Sequence, residues 1–205
     1  MKTSAALFPV PYQVTPASKL HGRIARVLNA RGKGRFDFCS HSVEALDLDF
    51  EGIISNRHRG YTRRADARVP YLKRRTEMRN SRQLSVVSTE DCTELARRLE
   101  LSSFDPAWMG ANVVVEGFPY FSYLPRGAKL IFEGGAVLDN EDQNSPCVIS
   151  GEAVARANAG RDDIKLQFPK VAKGLRGIIV TVEHPGVLVA DSPITIRLPE
   201  QWIYN

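Results

Sequence analysis

The sequence predicts a mostly β protein, a closed β-barrel of about seven or more short strands with two or three peripheral helices. Three observations carry this. Short apolar segments, many of them alternating with polar residues, recur at intervals of about ten residues and are separated by Gly, Pro, Asp and Asn. Fifteen Gly and 12 Pro in 205 residues leave little room for long helices. Only three windows carry helical signals, and all three are short.

Each element follows from its residues. His21 to Asn29 alternates polar and apolar and reads as a strand, and Gly32 to Gly34 reads as a turn. In Val43 to Phe50 the residues Leu46, Leu48 and Phe50 share one face, which makes a second strand. Gly52 to Asn80 has no clean period and is long for a loop, which marks it as functional or disordered. Gln83 to Ser88 is an apolar strand. The first helix follows, with Ser88 as N-cap, Asp91 three residues on, and Cys92, Leu95, Ala96 and Leu99 on one face.

Asn112 to Glu116 reads as a buried, β-branched strand headed by a polar residue that needs a partner. Ala128 to Phe132 and Ala136 to Asp139 flank Glu133-Gly134-Gly135 as a hairpin. Ser150 is expected to cap a helix running through Ala159. Asp162 to Lys173 reads as partly helical, interrupted by Pro169 and stopped by Gly174. Arg176 to Glu183, Val187 to Val189 and Ile194 to Leu198 are the closing strands.

The length fits one domain, read as an extended Pro-rich arm over residues 1–20 and a single barrel domain over 21–205. Hydrophobic residues at 43% and charged residues at 25% are the balance of a globular chain, which excludes collagen, coiled coil and wholesale disorder. No apolar run reaches the roughly 18 residues that cross a bilayer, so no membrane partner is expected. The uncharged run from Thr3 to Ser18 is broken by Pro9, Pro11 and Pro16 and is not read as a signal peptide. Three unpaired Cys, at 39, 92 and 147, fit a reducing compartment, and a cytoplasmic location is expected. Nucleotide loops, paired CxxC motifs and zinc-type His spacing are all missing from the sequence.

The net charge of +5 is not spread evenly. Ten Lys or Arg lie between Arg57 and Arg82, nearly all of them arginine, against only Asp66 and Glu77. That segment carries +8, which leaves −3 for the rest of the chain. A basic segment on a slightly acidic body points to an anion-binding surface, and guanidinium forks suit phosphate. A solvated loop is the plainer alternative.

Candidate chemistry is sparse. Cys147 follows Asn144-Ser145-Pro146 at a junction into a helix, where a thiol pKa can be lowered; a small buried hydrophobe is the alternative. Arg79, Asn80 and Arg82 stand at a strand entrance and can hold an anion or a polar ring edge. His58, between Arg57 and Arg59, is a candidate proton donor or anion contact, or an ordinary surface histidine. Cys92 is assigned to the core.

The order of these pieces resembles the MOSC family, named for the C-terminal domain of molybdenum cofactor sulfurase. The carrying residues are Glu51-Gly52, Asn56-Arg57-His58, the run from Thr76 to Ser85, the run from Met109 to Gly117, Leu124-Pro125-Arg126-Gly127, Pro146-Cys147 and Arg176-Gly177. The resemblance implies a barrel with one key cysteine, here Cys147, similar in role to a molybdenum ligand beside a pterin dithiolene or to a persulfide carrier. It implies the molybdenum cofactor (molybdopterin), with pyridoxal phosphate as a further family-level association. It also implies reduction of N-hydroxylated or N-oxygenated compounds, with electrons from a separate donor protein. On that reading Cys147 and His58 are catalytic, and Arg57, Arg79, Asn80, Arg82 and Asn112 contact cofactor or substrate. The sulfur is expected at the barrel mouth beside the basic strap. Many relatives carry Gly-Asp-Arg-His where this chain has Ser55-Asn56-Arg57-His58. Asp139, Glu141 and Asp142 are expected to form an acidic rim. The alternatives are a nucleic-acid-binding barrel with Tyr61 and Tyr71 as stacking platforms, which is less favoured, and a non-catalytic interaction domain.

Overall fold

Seven strands hydrogen-bond in a closed circuit in the computed structural model, which describes residues 12–30, 32 and 38–204. In chain order the strands are β1 (Tyr12–Thr15), β2 (Ser18–Asn29), β3 (His41–Ser42), β4 (Ala45–Asp49) and β5 (Gly52–Ile53). Next come β6 (Thr62–Arg64), β7 (Glu77–Arg79), β8 (Leu84–Ser88), β9 (Val113–Glu116) and β10 (Lys129–Phe132). The last are β11 (Val137–Gln143), β12 (Ile178–His184), β13 (Gly186–Val189), β14 (Pro193–Leu198) and β15 (Gln201–Tyr204). The α-helices are α1 (Thr89–Arg98), α2 (Val148–Ala157) and α3 (Ile164–Val171). The circuit runs β14-β10-β11-β12-β8-β9-β2, and β2 returns to β14. The expected architecture, a closed mostly β barrel with three helices at its periphery, is the observed one.

Period-two alternation builds two cores on the two sides of this wall. Leu84 and Val86 of β8, Val113 and Val115 of β9, and Ile178 and Val180 of β12 point inward and fill the barrel. Burying each such side chain contributes about 1.5–3 kcal/mol. Leu46, Leu48, Ile53 and Leu188 plug one side from the small sheet β13-β4-β5. Val87 and Val114 point the other way and meet Leu95 and Leu99 of α1, Val154 of α2 and Phe168 of α3. The one parallel contact of the circuit, β8 to β9, needs a crossover, and α1 supplies it.

Ser88 caps α1 as expected, its hydroxyl accepting from Asp91 N–H at 3.1 Å. Asp91 does not close a capping box. Its buried carboxylate instead accepts from Ser122 N–H and Oγ, at 3.0 and 2.6 Å. Ser122 Oγ in turn accepts from Gly177 N–H at 2.7 Å. This chain of bonds fixes the turn that carries Arg176 into the site.

Three element assignments are corrected. Helix α2 begins at Val148, with Cys147 as N-cap and Ser150 as the third helical residue. A reciprocal capping box there replaces the cap expected from Ser150. Pro169 lies inside α3 rather than interrupting it. The proline leaves the Lys165 carbonyl without its helical donor, and that oxygen packs against Gly151 of α2, where a Cβ would stand 2.5 Å from it. The long aperiodic segment is an ordered strap in which β6 and β7 pair as a ribbon. It shows no long period because most of it is turns. Val69 and Ala65 pin it to the body, 5% and 2% exposed.

At the amino end, β1 pairs with β15, and β2 begins at Ser18, before the expected His21. Residues 1–11 of the expected arm and residues 33–34 of the expected turn lie outside the described residues.

Candidate functional site

A cavity of about 410 Å³ lies between the strap and the barrel wall. Ser85 of β8 and Ile179 of β12, paired across the sheet, both line it. Their neighbours Val86, Ile178 and Val180 fill the barrel interior, so the cavity rests mainly on the outward face of the wall. The sulfur expected at the barrel mouth stands on this flank.

Cys147 reaches the cavity because β11 ends at Gln143 and Asn144-Ser145-Pro146 links it to α2. Cys147 is half-buried and has the extended backbone of an N-cap, φ −145° and ψ 167°. Its N–H donates to Ser150 Oγ at 3.1 Å, and its sulfur lies 3.6 Å from the same hydroxyl. Burial pushes the thiol pKa up. The Ser150 hydroxyl, the N–H groups of Ser150 and Ile149, and the Arg176 charge outweigh it, and the net shift is downward. The reactive reading of this cysteine therefore has a physical basis that the buried-hydrophobe reading lacks. Cys92 is buried on α1 with its pKa pushed beyond the usual range by desolvation, in keeping with a core role.

The opposite walls are guanidinium-rich. Arg57, Arg59, Arg63, Arg64, Arg68, Arg82 and Arg176 line the cavity, with Asp66 as the one lining carboxylate among the described residues. Arg82 Nη2 and Arg176 Nη1 both donate to Asn144 Oδ1, at 2.9 and 3.0 Å. Arg176 also donates to the carbonyls of Ser145 and Met109. Burial first, then neighbouring guanidinium charges, bring the pKa of both Arg82 and Arg176 down to about 10. Each remains a cation at neutral pH. Arg63 Nε and Arg176 Nε are buried without a hydrogen-bond partner among the described residues. Two donors left open in a cationic wall are what an incoming oxyanion satisfies.

The residues singled out from the sequence separate into three groups. Cys147, His58, Arg57 and Arg82 line the cavity. Asn80 and Asn112 line it too, but their side chains hold the walls together. Asn80 Nδ2 donates to the His58 and Gly60 carbonyls, and its oxygen accepts from Arg82 N–H. Asn112 Oδ1 accepts from Ser85 N–H at 3.0 Å, which answers the need for a partner at the head of β9. Arg79 is not among the cavity-lining residues. It is largely exposed and pairs with Glu141 on the neighbouring surface.

His58 opens onto the cavity water yet is ringed by protein. Desolvation first, then the charges of Arg57, Arg82, Arg68 and Arg176, lower its pKa to about 4. Arg57 Nε donates to His58 Nε2 at 3.2 Å, which leaves the ring proton on Nδ1. Asn56 accepts from His58 N–H and donates to Asn29 Oδ1. The aspartate of many relatives can do the first and not the second. The expected acidic rim is also quenched: Asp139 pairs with Lys129, Glu141 with Arg79 and Asp142 with Arg126.

Arg63, Arg68, Arg176 and Asn144 were not singled out as ligand contacts by the sequence. Arg176 flanks an apolar strand and reads there as an ordinary strand entrance. For Arg63 and Arg68 the signal was arginine abundance, which does not say which guanidiniums turn inward, while Asn144 and Arg176 were marked by their places before Pro146-Cys147 and in the Arg176-Gly177 pair.

The donor set fits a molybdenum–pterin group in the following respects. A single soft sulfur donor suits a metal that arrives already held by dithiolene sulfurs. Among the described residues no cluster of three or more His, Cys, Asp or Glu could hold a bare ion. The open donors of Arg63 and Arg176 suit a phosphate tail. Pyridoxal phosphate fits less well, because no lysine is found among the described lining residues.

Comparison with known proteins agrees with this geometry. The MOSC domain family model matches residues 73–195, more than half of the chain. The chain is 37% identical over 160 residues to the Bacillus subtilis (strain 168) protein described as "Putative metal-sulfur cluster biosynthesis proteins YuaD", covering 78% of this chain and 83% of that one. The crystal structure of the Bacillus subtilis YuaD protein superimposes with a TM-score of 0.85 at 34% identity, covering 89% of this chain and 98% of that one. Escherichia coli YiiM shares the fold, with a TM-score of 0.57 at 17% identity over 86% of this chain and 69% of that one. Barrel, strap and Pro-Cys junction together with these matches place the chain in the MOSC domain family.

Proposed function

We propose that the protein holds a molybdopterin-type cofactor in the cavity, with Cys147 as its sulfur ligand, and reduces N-hydroxylated or N-oxygenated compounds using electrons from a separate donor protein. The observation that carries the reading is the meeting of one acidified, half-exposed thiol with inward-facing guanidiniums that keep two open donors. When bound, such a group supplies two-electron reduction of an N–O bond.

The chain's own residues do the rest. Cys147 offers a thiolate at the start of α2, where Ser150 and two backbone N–H groups hold its charge. Arg176, Arg82 and Arg63 grip and orient a phosphate. Asn80 keeps the strap closed over the site through the His58 and Gly60 carbonyls. Neutral His58 acts as a hydrogen-bond donor through Nδ1 and not as the proton source, because its pKa lies near 4. Ile149 and Ile179 give the wall an apolar portion that limits water.

A second reading, favoured by the description of the Bacillus subtilis relative, is carriage of sulfur or cofactor. Cys147 thiolate takes a sulfane sulfur from a donor persulfide, whose own sulfur leaves as thiolate. The Cys147 persulfide then passes that sulfur to a nucleophilic acceptor and returns to thiolate. The nucleic-acid alternative has weaker support: Tyr61 and Tyr71 are exposed, but seven of the arginines line a cavity.

Elemental analysis of protein from a host that makes the cofactor tests the proposal. The expected result is molybdenum and phosphorus near one per chain, on the order of a stoichiometric cofactor. Protein free of molybdenum but carrying cyanide-labile sulfur on Cys147 favours the carrier reading.

A further inference from the structure

The guanidiniums around the cavity are held in two different ways. Arg59 is held by carboxylates, those of Asp49 and Glu51. Arg63 and Arg68 share Asp66. Arg82 and Arg176, the pair that meets at the carboxyl end of β11, have only neutral acceptors among the described residues. Both donate to Asn144 Oδ1, and Arg176 adds the Ser145 and Met109 carbonyls. Arg176 and Asn144 are each 7% exposed. A carboxylate is the usual partner for buried guanidiniums, since it offsets their desolvation. An amide of nearly the same shape stands here instead.

The amide orientation follows from its partners. Guanidinium only donates, so the oxygen of Asn144 must face both arginines. Its nitrogen then points away from them, and it makes no hydrogen bond among the described residues. The site thus presents two guanidiniums with no carboxylate hydrogen-bond partner among the described residues, Arg176 under the influence of the Cys147 sulfur and Arg82 of the Asp66 carboxylate, together with the unbonded Nε donors of Arg176 and Arg63 and the Asn144 amide N–H.

We propose that Asn144 is a specificity-determining residue: as a neutral acceptor it orients Arg82 and Arg176 without adding a negative charge between them, so the cavity selects a doubly charged tetrahedral oxyanion of the phosphate-monoester class. The inference rests on the cofactor reading only for which molecule carries that phosphate. An aspartate at the same place keeps the geometry, cancels one charge and turns an acceptor towards the anion. Rejection then comes from an unpaired like charge and not from lost shape.

The test is calorimetric titration of the full chain with inorganic phosphate, together with thermal melting, for the native protein, Asn144→Asp and Asn144→Ser. The native protein is expected to bind phosphate, more tightly as pH rises and phosphate loses its second proton. Asn144→Asp is expected to bind at least about tenfold more weakly without a lower melting temperature, on the scale of one charge-assisted hydrogen bond. Asn144→Ser keeps a neutral acceptor and is expected to stay within about threefold. Native affinity in Asn144→Asp, equal losses in both variants, or no phosphate binding by the native protein would each overturn the inference. Molybdenum content separates it from the cofactor reading. Phosphate behaviour as expected in a chain that retains no molybdenum sinks that reading alone. Molybdenum retention with unchanged phosphate affinity in Asn144→Asp sinks this inference alone.

Discussion

Ser150 meets Cys147 three times: its hydroxyl accepts from the Cys147 N–H at 3.1 Å and lies 2.7 Å from the Cys147 carbonyl and 3.6 Å from the sulfur, so its single proton serves the carbonyl beside the neutral thiol and can turn to the thiolate. One buried side chain therefore starts α2 and helps to lower the Cys147 thiol pKa. Ser150→Ala removes both effects. The alkylation rate of Cys147 is expected to reach half its plateau at a higher pH than in the native protein. Stability is expected to fall by about 1 kcal/mol, the usual worth of a helix cap. An unchanged alkylation profile would mean that the hydroxyl serves the helix only.

His58 makes the fold sensitive to acid. Its folded pKa is near 4, below the value of about 6.5 for an unfolded histidine. Between these values the unfolded chain binds more protons, so stability is full above about pH 6.5 and declines as pH falls towards 4. The same interval separates the native chain from His58→Gln, whose denaturation midpoint is expected to change less with pH. Parallel pH profiles for the two proteins would show that His58 is not held neutral.

Much of the fold was legible because strand alternation is a local property. Leu84-Ser85-Val86 and Ile178-Ile179-Val180 show it in sequence, and their inward and outward faces agree with it. Ser88 was legible as a cap because serine followed by an acidic first turn is a local signal. The start of α2 was misplaced because cysteine is not among the usual caps and Ser150, which completes the box, looks like one. Pro169 was misread because only the packing of Lys165 against Gly151 accommodates it. The candidate site was legible at Cys147, His58 and Arg82, each beside a motif. It was not legible at Asn144 and Arg176, whose roles depend on Arg82 and Arg176 converging from distant parts of the chain.

Arg79 and Arg82 lie three residues apart and are expected to behave differently. Arg79 is exposed and paired with Glu141, so Arg79→Ala is expected to change stability by less than about 1 kcal/mol and phosphate affinity by less than about twofold. Arg82 turns into the cavity, and Arg82→Ala is expected to weaken phosphate binding by about tenfold or more. Equal losses from the two substitutions would place the anion site outside the cavity.

Gly177 has φ +74°, and a Cβ there would collide with the Val86 carbonyl of β8. Gly177→Ala is expected to cost at least about 1–3 kcal/mol from the backbone alone. It also disturbs the Ser122 bond that sets the turn before β12. Phosphate affinity is expected to fall along with the melting temperature, because Arg176 is the adjacent residue. A variant of native stability would show that the turn is softer than this packing implies.

Whether Cys147 is the metal ligand of the arginine-walled cavity is read directly from molybdenum per chain in Cys147→Ala, purified beside the native protein from a cofactor-producing host. The expected result is loss of molybdenum with an unchanged melting temperature and circular dichroism spectrum, since the side chain is half-buried and outside both cores. Full molybdenum content in Cys147→Ala would show that the sulfur is not the metal's ligand.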